Sequence, residues 1–129
     1  MTMDLLAIDL GKQSFHLHGI DADRVLVSRK VSRAKLLETM NEIAPEKIGM
    51  EGCASAHHWG RWFTRDRRRV RLINPRVVKP FARGSKNDAV DAEAIYEAAT
   101  RPTMRFVPVK SIEQQDLQSL HRIRERLVL

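Results

Sequence analysis

The chain has a single cysteine, Cys53, so it can form no internal disulfide and offers no cysteine-rich zinc site. It also lacks any run near the roughly 20 apolar residues that a membrane span requires. The apolar opening Leu5–Leu10 is itself broken by Asp9. A secretory leader is excluded because Asp4 stands where a positive n-region belongs and no small-residue cleavage site follows. No internal repeat or low-complexity tract is present. These absences leave a reducing cytoplasm as the expected compartment.

What is present suits one basic domain. With 129 residues, 43% of them hydrophobic, the chain can build one core but not two. Twenty-three Lys and Arg against 16 Asp and Glu give a net charge of +7, and the isoelectric point is near 10.2. That balance favours an anionic partner such as nucleic acid.

The pattern begins with strands. Leu5–Leu10 is an apolar run ended by Gly11, and Phe15, Leu17 and Gly19 alternate with His16 and His18 before a turn at Asp21-Ala22-Asp23. A third strand follows from Val25 to Val31, giving an antiparallel meander. Leu36, Leu37, Met40, Ile43 and Ala44 then mark a helix that starts at Ser32 and stops before Pro45. Lys47–Met50 is a short strand, Ala54–Arg67 a helix bearing Trp59, Trp62 and Phe63, Val70–Ile73 a further strand, and Arg76–Phe81 a helical or turn segment. Strand and helix now alternate, which implies parallel pairing through crossovers and an α/β fold with a mixed sheet. Ala82–Asn87 reads as a polar loop, the segment expected to move most, and Asp88–Thr100 as a helix. A last helix from Ser111 carries Leu117, Leu120, Ile123 and Leu127 near the 3.5-residue period of a coiled coil. No Gly or Pro closes it, the pattern expected of a truncated or excised domain.

Four carboxylates stand out. Asp9 shares a strand face with Leu5 and Ala7, in a strand apolar enough to be covered on both sides, where an unpaired carboxylate is costly. Alternatively it ends its strand and accepts N–H groups of the Gly11-Lys12 turn. Glu51 follows Ile48-Gly49-Met50 at the carboxyl end of a strand, where α/β sheets gather ligands, or it caps the helix that begins near Ala54. At about 100° per residue, Asp88 and Asp91 fall on or beside the stripe of Ala92, Ile95, Tyr96 and Ala99, although Asp88 as N-cap and Asp91 in the first turn would imitate a capping box. Four carboxylates brought together repel unless divalent cations hold them, and hard oxygen ligands select Mg²⁺ or Mn²⁺. Two such ions about 3.5–4 Å apart suit phosphoryl transfer.

The segments Ala7-Ile8-Asp9-Leu10-Gly11-Lys12, Met50-Glu51-Gly52-Cys53 and Lys86-Asn87-Asp88-Ala89-Val90-Asp91-Ala92 resemble the DEDD-type insertion-sequence transposases and the Piv-type DNA invertases. The resemblance runs along nearly the whole chain. It implies an amino-terminal domain similar to Holliday-junction resolvases, with a ribonuclease H-like fold, and a metal-binding catalytic tetrad of Asp9, Glu51, Asp88 and Asp91. It divides the chain into a catalytic domain over residues 1–106 and the start of a helical, coiled-coil-like segment over residues 107–129. Members of the family continue into a second domain that supplies a serine nucleophile, and several are guided by a structured RNA; no serine of this chain takes that part. The partners implied are DNA, a guide RNA, and a second copy of the chain through the last helix.

The basic residues read in two groups. Arg65, Arg67, Arg68, Arg69 and Arg71 are the densest run, either a solvated helix end or phosphate contacts without sequence preference. Lys79, Arg83 and Lys86 lead into the aspartate pair, and Lys12 follows the first aspartate; these are placed to hold a scissile strand. Trp59, Trp62 and Phe63 are expected in the core, His16, His18, His57 and His58 in hydrogen bonds or on the surface, and Cys53 as a small buried residue. Two other functions compete with the transposase reading: a resolvase-like nuclease, and a nucleic-acid-binding or assembly module without activity of its own. Asp9-Leu10-Gly11-Lys12 also resembles the first phosphate loop of actin-like ATPases and sugar kinases, but the second domain and second glycine-rich loop that those need are missing.

Overall fold

Period-two alternation dictates the first strand. β1 (Met3–Leu10) turns Leu6, Ile8 and Leu10 to one face of the sheet and Leu5, Ala7 and Asp9 to the other, and apolar side chains cover both faces. The computed structural model describes residues 3–82 and 87–128. Gly11 makes the turn that follows possible: its N–H donates to the Ser14 carbonyl, and a Cβ in its place would strike that same oxygen. β2 (Ser14–Ile20) and β3 (Leu26–Ser32) complete the expected antiparallel meander. Asp21 shapes the connection between them, its carboxylate accepting from the N–H groups of Asp23 and Val25 at 2.9 Å.

A turn of 3₁₀ helix over Arg33–Lys35 leads into α1 (Leu36–Ile43). Leu36, Met40 and Ile43 are buried as the pattern requires, but Leu37 is 52% exposed. Thr39 takes the buried place, its hydroxyl donating to the Lys35 carbonyl at 2.8 Å. Ala44 adopts a left-handed conformation (φ 50°) that stops the helix before Pro45. β4 (Pro45–Glu51) then pairs parallel to β1, α2 (Ala54–Arg65) crosses over, and β5 (Arg69–Ile73) pairs parallel to β4. The sheet order β3-β2-β1-β4-β5 is the mixed, ribonuclease H-like arrangement.

The helices divide between the two faces. α1 and α2 cover Leu6, Ile8, Phe15, Leu17 and Ile48, and Trp59 meets Phe15 edge to face at 5.1 Å. α3 (Pro75–Val78) and α4 (Asp88–Ala99) lie on the other face, where Val78, Ala94, Ile95, Ala98 and Ala99 pack on Leu5, Ala7 and Ile73. This is the face that carries Asp9.

One cation of the basic run is part of the fold. Arg68 donates to the carbonyls of Pro45 at 2.7 Å and Met40 at 3.3 Å, and its Nε lies 3.2 Å from the Asp66 carboxylate. Arg68→Met, which keeps the apolar stem and removes the donors, should lower stability by about 2 kcal/mol, read as an earlier midpoint in urea unfolding. An unchanged midpoint would show that water replaces the guanidinium at no cost.

Beyond α4 the chain returns to the sheet. Val107 N–H donates to the Leu72 carbonyl, and Val109 packs so closely on Gly60 that a Cβ there would lie 3.0 Å from its methyl group. His57 is buried in α2, and its Nδ1 accepts from the Lys110 N–H at 3.0 Å. Burial, with Lys110 and Arg61 nearby, lowers its pKa and so favours the neutral ring that can accept. A reciprocal capping box between Ser111 and Gln114 starts α5 (Ile112–Val128). Leu117, Leu120, Ile123 and Leu127 on this helix are exposed. Among the described residues no helix is long and apolar enough to cross a membrane.

Candidate functional site

Strand register brings the first two carboxylates together. Ala7 on β1 pairs with Gly49 on β4, so carrying the parallel register two residues further sets Asp9 beside Glu51 at the carboxyl ends of neighbouring strands. Glu51 is opposite Ile73, the last residue of β5. Both carboxylates belong to the sheet face under α4, because their strand neighbours Ile8 and Met50 are buried on the opposite face.

The first turn of α4 supplies the other two. Its N-cap is Asn87, whose side chain accepts from the Val90 N–H at 3.0 Å. Asn87 therefore takes the capping role that Asp88 could have filled, and the Asp88 carboxylate is left to point elsewhere. Asp9, Asp88 and Asp91 each offer a carboxylate oxygen, all within 4.8 Å of one another. The Gly11 N–H, one of the donors of the turn after Asp9, donates to the Ser14 carbonyl instead. α2 has Cys53 at its N-cap position.

The electrostatics agree with crowding. The Asp9 carboxyl is pushed up from its ordinary 3.8 to about 6, first by burial, then by the negative charges of Asp91, Asp88 and Glu51 in that order. The other three carboxylates thus all act on Asp9. Asp9, Glu51 and Asp91 line a cavity of about 520 Å³ whose other walls are α3, the start of α4 and the turn over Lys79–Phe81. Val78, Val90 and Ala94 give it apolar sides, and Arg76 and Lys79 bring two cations to it.

The remaining candidates separate by position. Lys79 lines the acidic cavity, and Lys12 is exposed in the hairpin turn after Asp9. Arg83 and Lys86 lie outside the described residues. Arg67 and Arg69 are exposed but sit at the far end of β5, where Arg69 pairs with Lys47. Four residues of strand, about 13 Å, separate them from the level of Glu51. Arg68 is held in the fold. Arg71 donates to the Ala99 carbonyl at 2.9 Å and lies over the Phe106 ring, neutralising the C-terminal end of α4. Cys53 is exposed rather than buried, because it precedes the first turn of α2 and faces outward with Ser55.

Two residues escaped the sequence reading. Arg76 follows Asn74-Pro75, a pattern that signals a turn, and nothing in its spacing ties it to the acidic residues; the fold of α3 over the end of β5 brings it to the cavity. His16 reads as one of two histidines on a strand face, whereas antiparallel register places it directly opposite Asp9.

Known proteins resemble this chain along its length. The family model of the DEDD transposases of the IS110 type, described as a transposase, matches residues 6–129. A probable family 20 transposase of Pseudomonas aeruginosa is 48% identical over 129 residues, 99% of this chain and 38% of the relative. The transposase for insertion sequence element IS1111A of Coxiella burnetii is 44% identical over 125 residues, 96% of this chain and 34% of the relative. The transposase for element IS1328 of Yersinia enterocolitica is 42% identical over 125 residues, 96% of this chain and 37% of the relative. The chain spans a little over a third of the length of these relatives.

Proposed function

This chain belongs to the DEDD transposases of the IS110 type, and from that membership we propose that it is the metal-dependent catalytic domain of a DNA recombinase, acting on DNA phosphodiesters through Asp9, Glu51, Asp88 and Asp91. The observation that carries the reading is the convergence of Asp9 on a strand with Asp88 and Asp91 on a helix, their oxygens within 4.8 Å. A purely structural trio of this kind would only repel. The donors fit a hard cation, since the three are carboxylates. Three carboxylate oxygens within 4.8 Å of one another are close enough for one such ion to gather them. Asp9, Asp88, Asp91 and Glu51 would hold Mg²⁺ or Mn²⁺, and the chemistry supplied would be Lewis-acid activation of phosphodiester oxygens.

The chain's own residues do the rest. Asp9, half-buried on a central strand, is the fixed member, and the helix brings Asp88 and Asp91 to it. Glu51 closes the row from the neighbouring strand. Lys79 and Arg76, which line the same cavity, hold phosphate oxygens, and Val78, Val90 and Ala94 limit the water that enters. DNA is the substrate of this reading. A guide RNA would bind the same basic surface as a second polyanion, and the exposed stripe of α5 would pair two copies of the chain. The single cysteine, exposed and unpaired, suits a reducing cytoplasm.

Thermal melting tests the reading directly. Mn²⁺ or Mg²⁺ at one hundred times its Kd should raise the melting temperature by about 8 °C, and Asp91→Ala should remove that response. A melting temperature indifferent to both ions would reject the metal site. Product analysis on branched and linear DNA separates the activities: joined strands mark a recombinase, hydrolysed ends a nuclease. Metal binding and DNA binding without any product would mark a binding module that works only within a longer protein.

A further inference from the structure

The sheet register extends the acidic row in one direction. Asp9 on β1 is paired with His16 on β2, and His16 with Lys30 on β3. Directly opposed residues share a face, and the strand neighbours Phe15, Leu17 and Val31 are buried on the other side of the sheet. Glu51, Asp9, His16 and Lys30 therefore stand in one row across four strands, at the same end of the sheet. Neighbouring strands are about 4.8 Å apart, so Lys30 starts about 10 Å from Asp9, some three nucleotides of rise along a nucleic-acid strand.

The strands of this part of the sheet, β2 and β3, carry no Asp or Glu of their own, and the carboxylates nearest His18 are Glu93 and Glu97 of α4. α4 has its Tyr96 ring against the buried His18, and the stretch beside it is open, with Ser28 and Lys30 exposed and Ser14 and His16 half-buried. His16 Nε2 is 3.1 Å from the Ser28 hydroxyl, which ties the ring to β3. Arg29, the adjacent cation, points to the other face and pairs with Glu42 at 3.2 Å. Lys30 has no ion pair among the described residues.

We infer that this strip is a track for a nucleic-acid strand, in which Lys30 and the hydrogen-bonded pair of His16 and Ser28 contact the phosphates and lead the backbone to the carboxylates. The inference deepens the recombinase reading, and rests on it for the identity of the acidic site at the track's end. It adds residues that neither the basic run nor the loop before α4 contains. Contacts of this kind are to the backbone, so affinity should depend on salt and little on sequence.

The test is fluorescence anisotropy of the 129-residue chain with labelled single-stranded DNA and RNA 20-mers in EDTA, so that metal plays no part. Lys30→Glu should weaken binding about tenfold and make the log–log salt dependence shallower by about one contact. His16→Ala should weaken it about threefold. Lys35→Glu is the control: Lys35 is exposed beside Glu38 over the opposite face of the sheet, and its reversal should leave affinity within twofold. Weakening on either polymer supports the track, and the polymer that loses more is its occupant. Wild-type affinity of Lys30→Glu for both, or the same loss in Lys35→Glu, overturns it. Should Lys30→Glu fail to fold by circular dichroism, Lys30→Met carries the same test. The Mn²⁺ melting shift of the natural chain keeps the two readings apart: no shift with a working track sinks the metal site alone, and a shift without a track sinks this inference alone.

Discussion

In EDTA at pH 7.5, Asp9→Asn is expected to melt about 4 °C above the natural chain, and to show no response to Mn²⁺. The gain follows from the sign of the Asp9 shift. Its carboxyl titrates near 6 in the folded chain against an ordinary 3.8, so folding takes up a proton between those values. Stability from this group is therefore fully present below about pH 3.8 and lost as the pH rises through 6. At full strength the shift corresponds to about 3 kcal/mol, but Asp9 is only half-buried, and solvent screening reduces this to about 1–2 kcal/mol. Asparagine keeps the shape and removes the charge, so the variant escapes the loss. The gap between the two proteins should be wide at pH 7.5 and narrow as the pH falls toward 4; titrating groups distant from Asp9 cancel in the difference between them. With Mn²⁺ the order reverses, since the cation relieves the repulsion only in the natural chain. Melting curves at three pH values, with EDTA and with Mn²⁺, check both halves. An Asp9→Asn chain less stable than the natural one in EDTA would mean that the carboxylate has a structural partner.

The same site shows how far a sequence carries such a conclusion. Alternation placed Asp9 on the face of Leu5 and Ala7, and the 100° step placed Asp88 and Asp91 beside the buried stripe of α4; both placements hold because each depends on one element only. What depended on contacts between elements was out of reach. Leu37 fits a helical apolar face as well as Thr39 does, and only the way α1 docks on the sheet decides between them. Arg68 belongs to a run that looks uniform, but two carbonyls left by the end of α1 and the start of β4 claim it. Asn87, not Asp88, caps α4, a choice between neighbouring residues that both favour the position. The row from Lys30 to Glu51 is a matter of strand register, which alternation fixes only to within two residues. Residue chemistry thus pointed to the acidic site, while its basic surroundings required the pairing of five strands.

Gly49→Leu is expected to cost about 3 kcal/mol and to remove the Mn²⁺ response, although residue 49 touches no ligand in the proposed reading. Gly49 lies on β4 opposite Ala7, on the face beneath α4. A Cβ there would already stand 3.1 Å from the Ala99 methyl and 3.7 Å from Ile95 and Leu5. The helix above it is lined with alanine: Ala92, Ala94, Ala98 and Ala99 are each at most 1% exposed. These small residues let α4 lie close to the sheet, and a short aspartate side chain on the helix can reach Asp9 only if it does. Leucine would lift the helix or force its neighbours off their rotamers, and either change carries Asp88 and Asp91 away from β1. Gly49→Ala is the graded control. A neighbour yielding a few tenths of an ångström accommodates the single methyl, and the lost backbone freedom of the unfolded chain offsets the contact, so stability should stay within about 1 kcal/mol and the metal response should survive. Urea midpoints and Mn²⁺ melting shifts measure the two effects separately. If Gly49→Leu loses stability but keeps the full shift, the carboxylates converge without help from the helix seat, and the close packing of α4 serves the core alone.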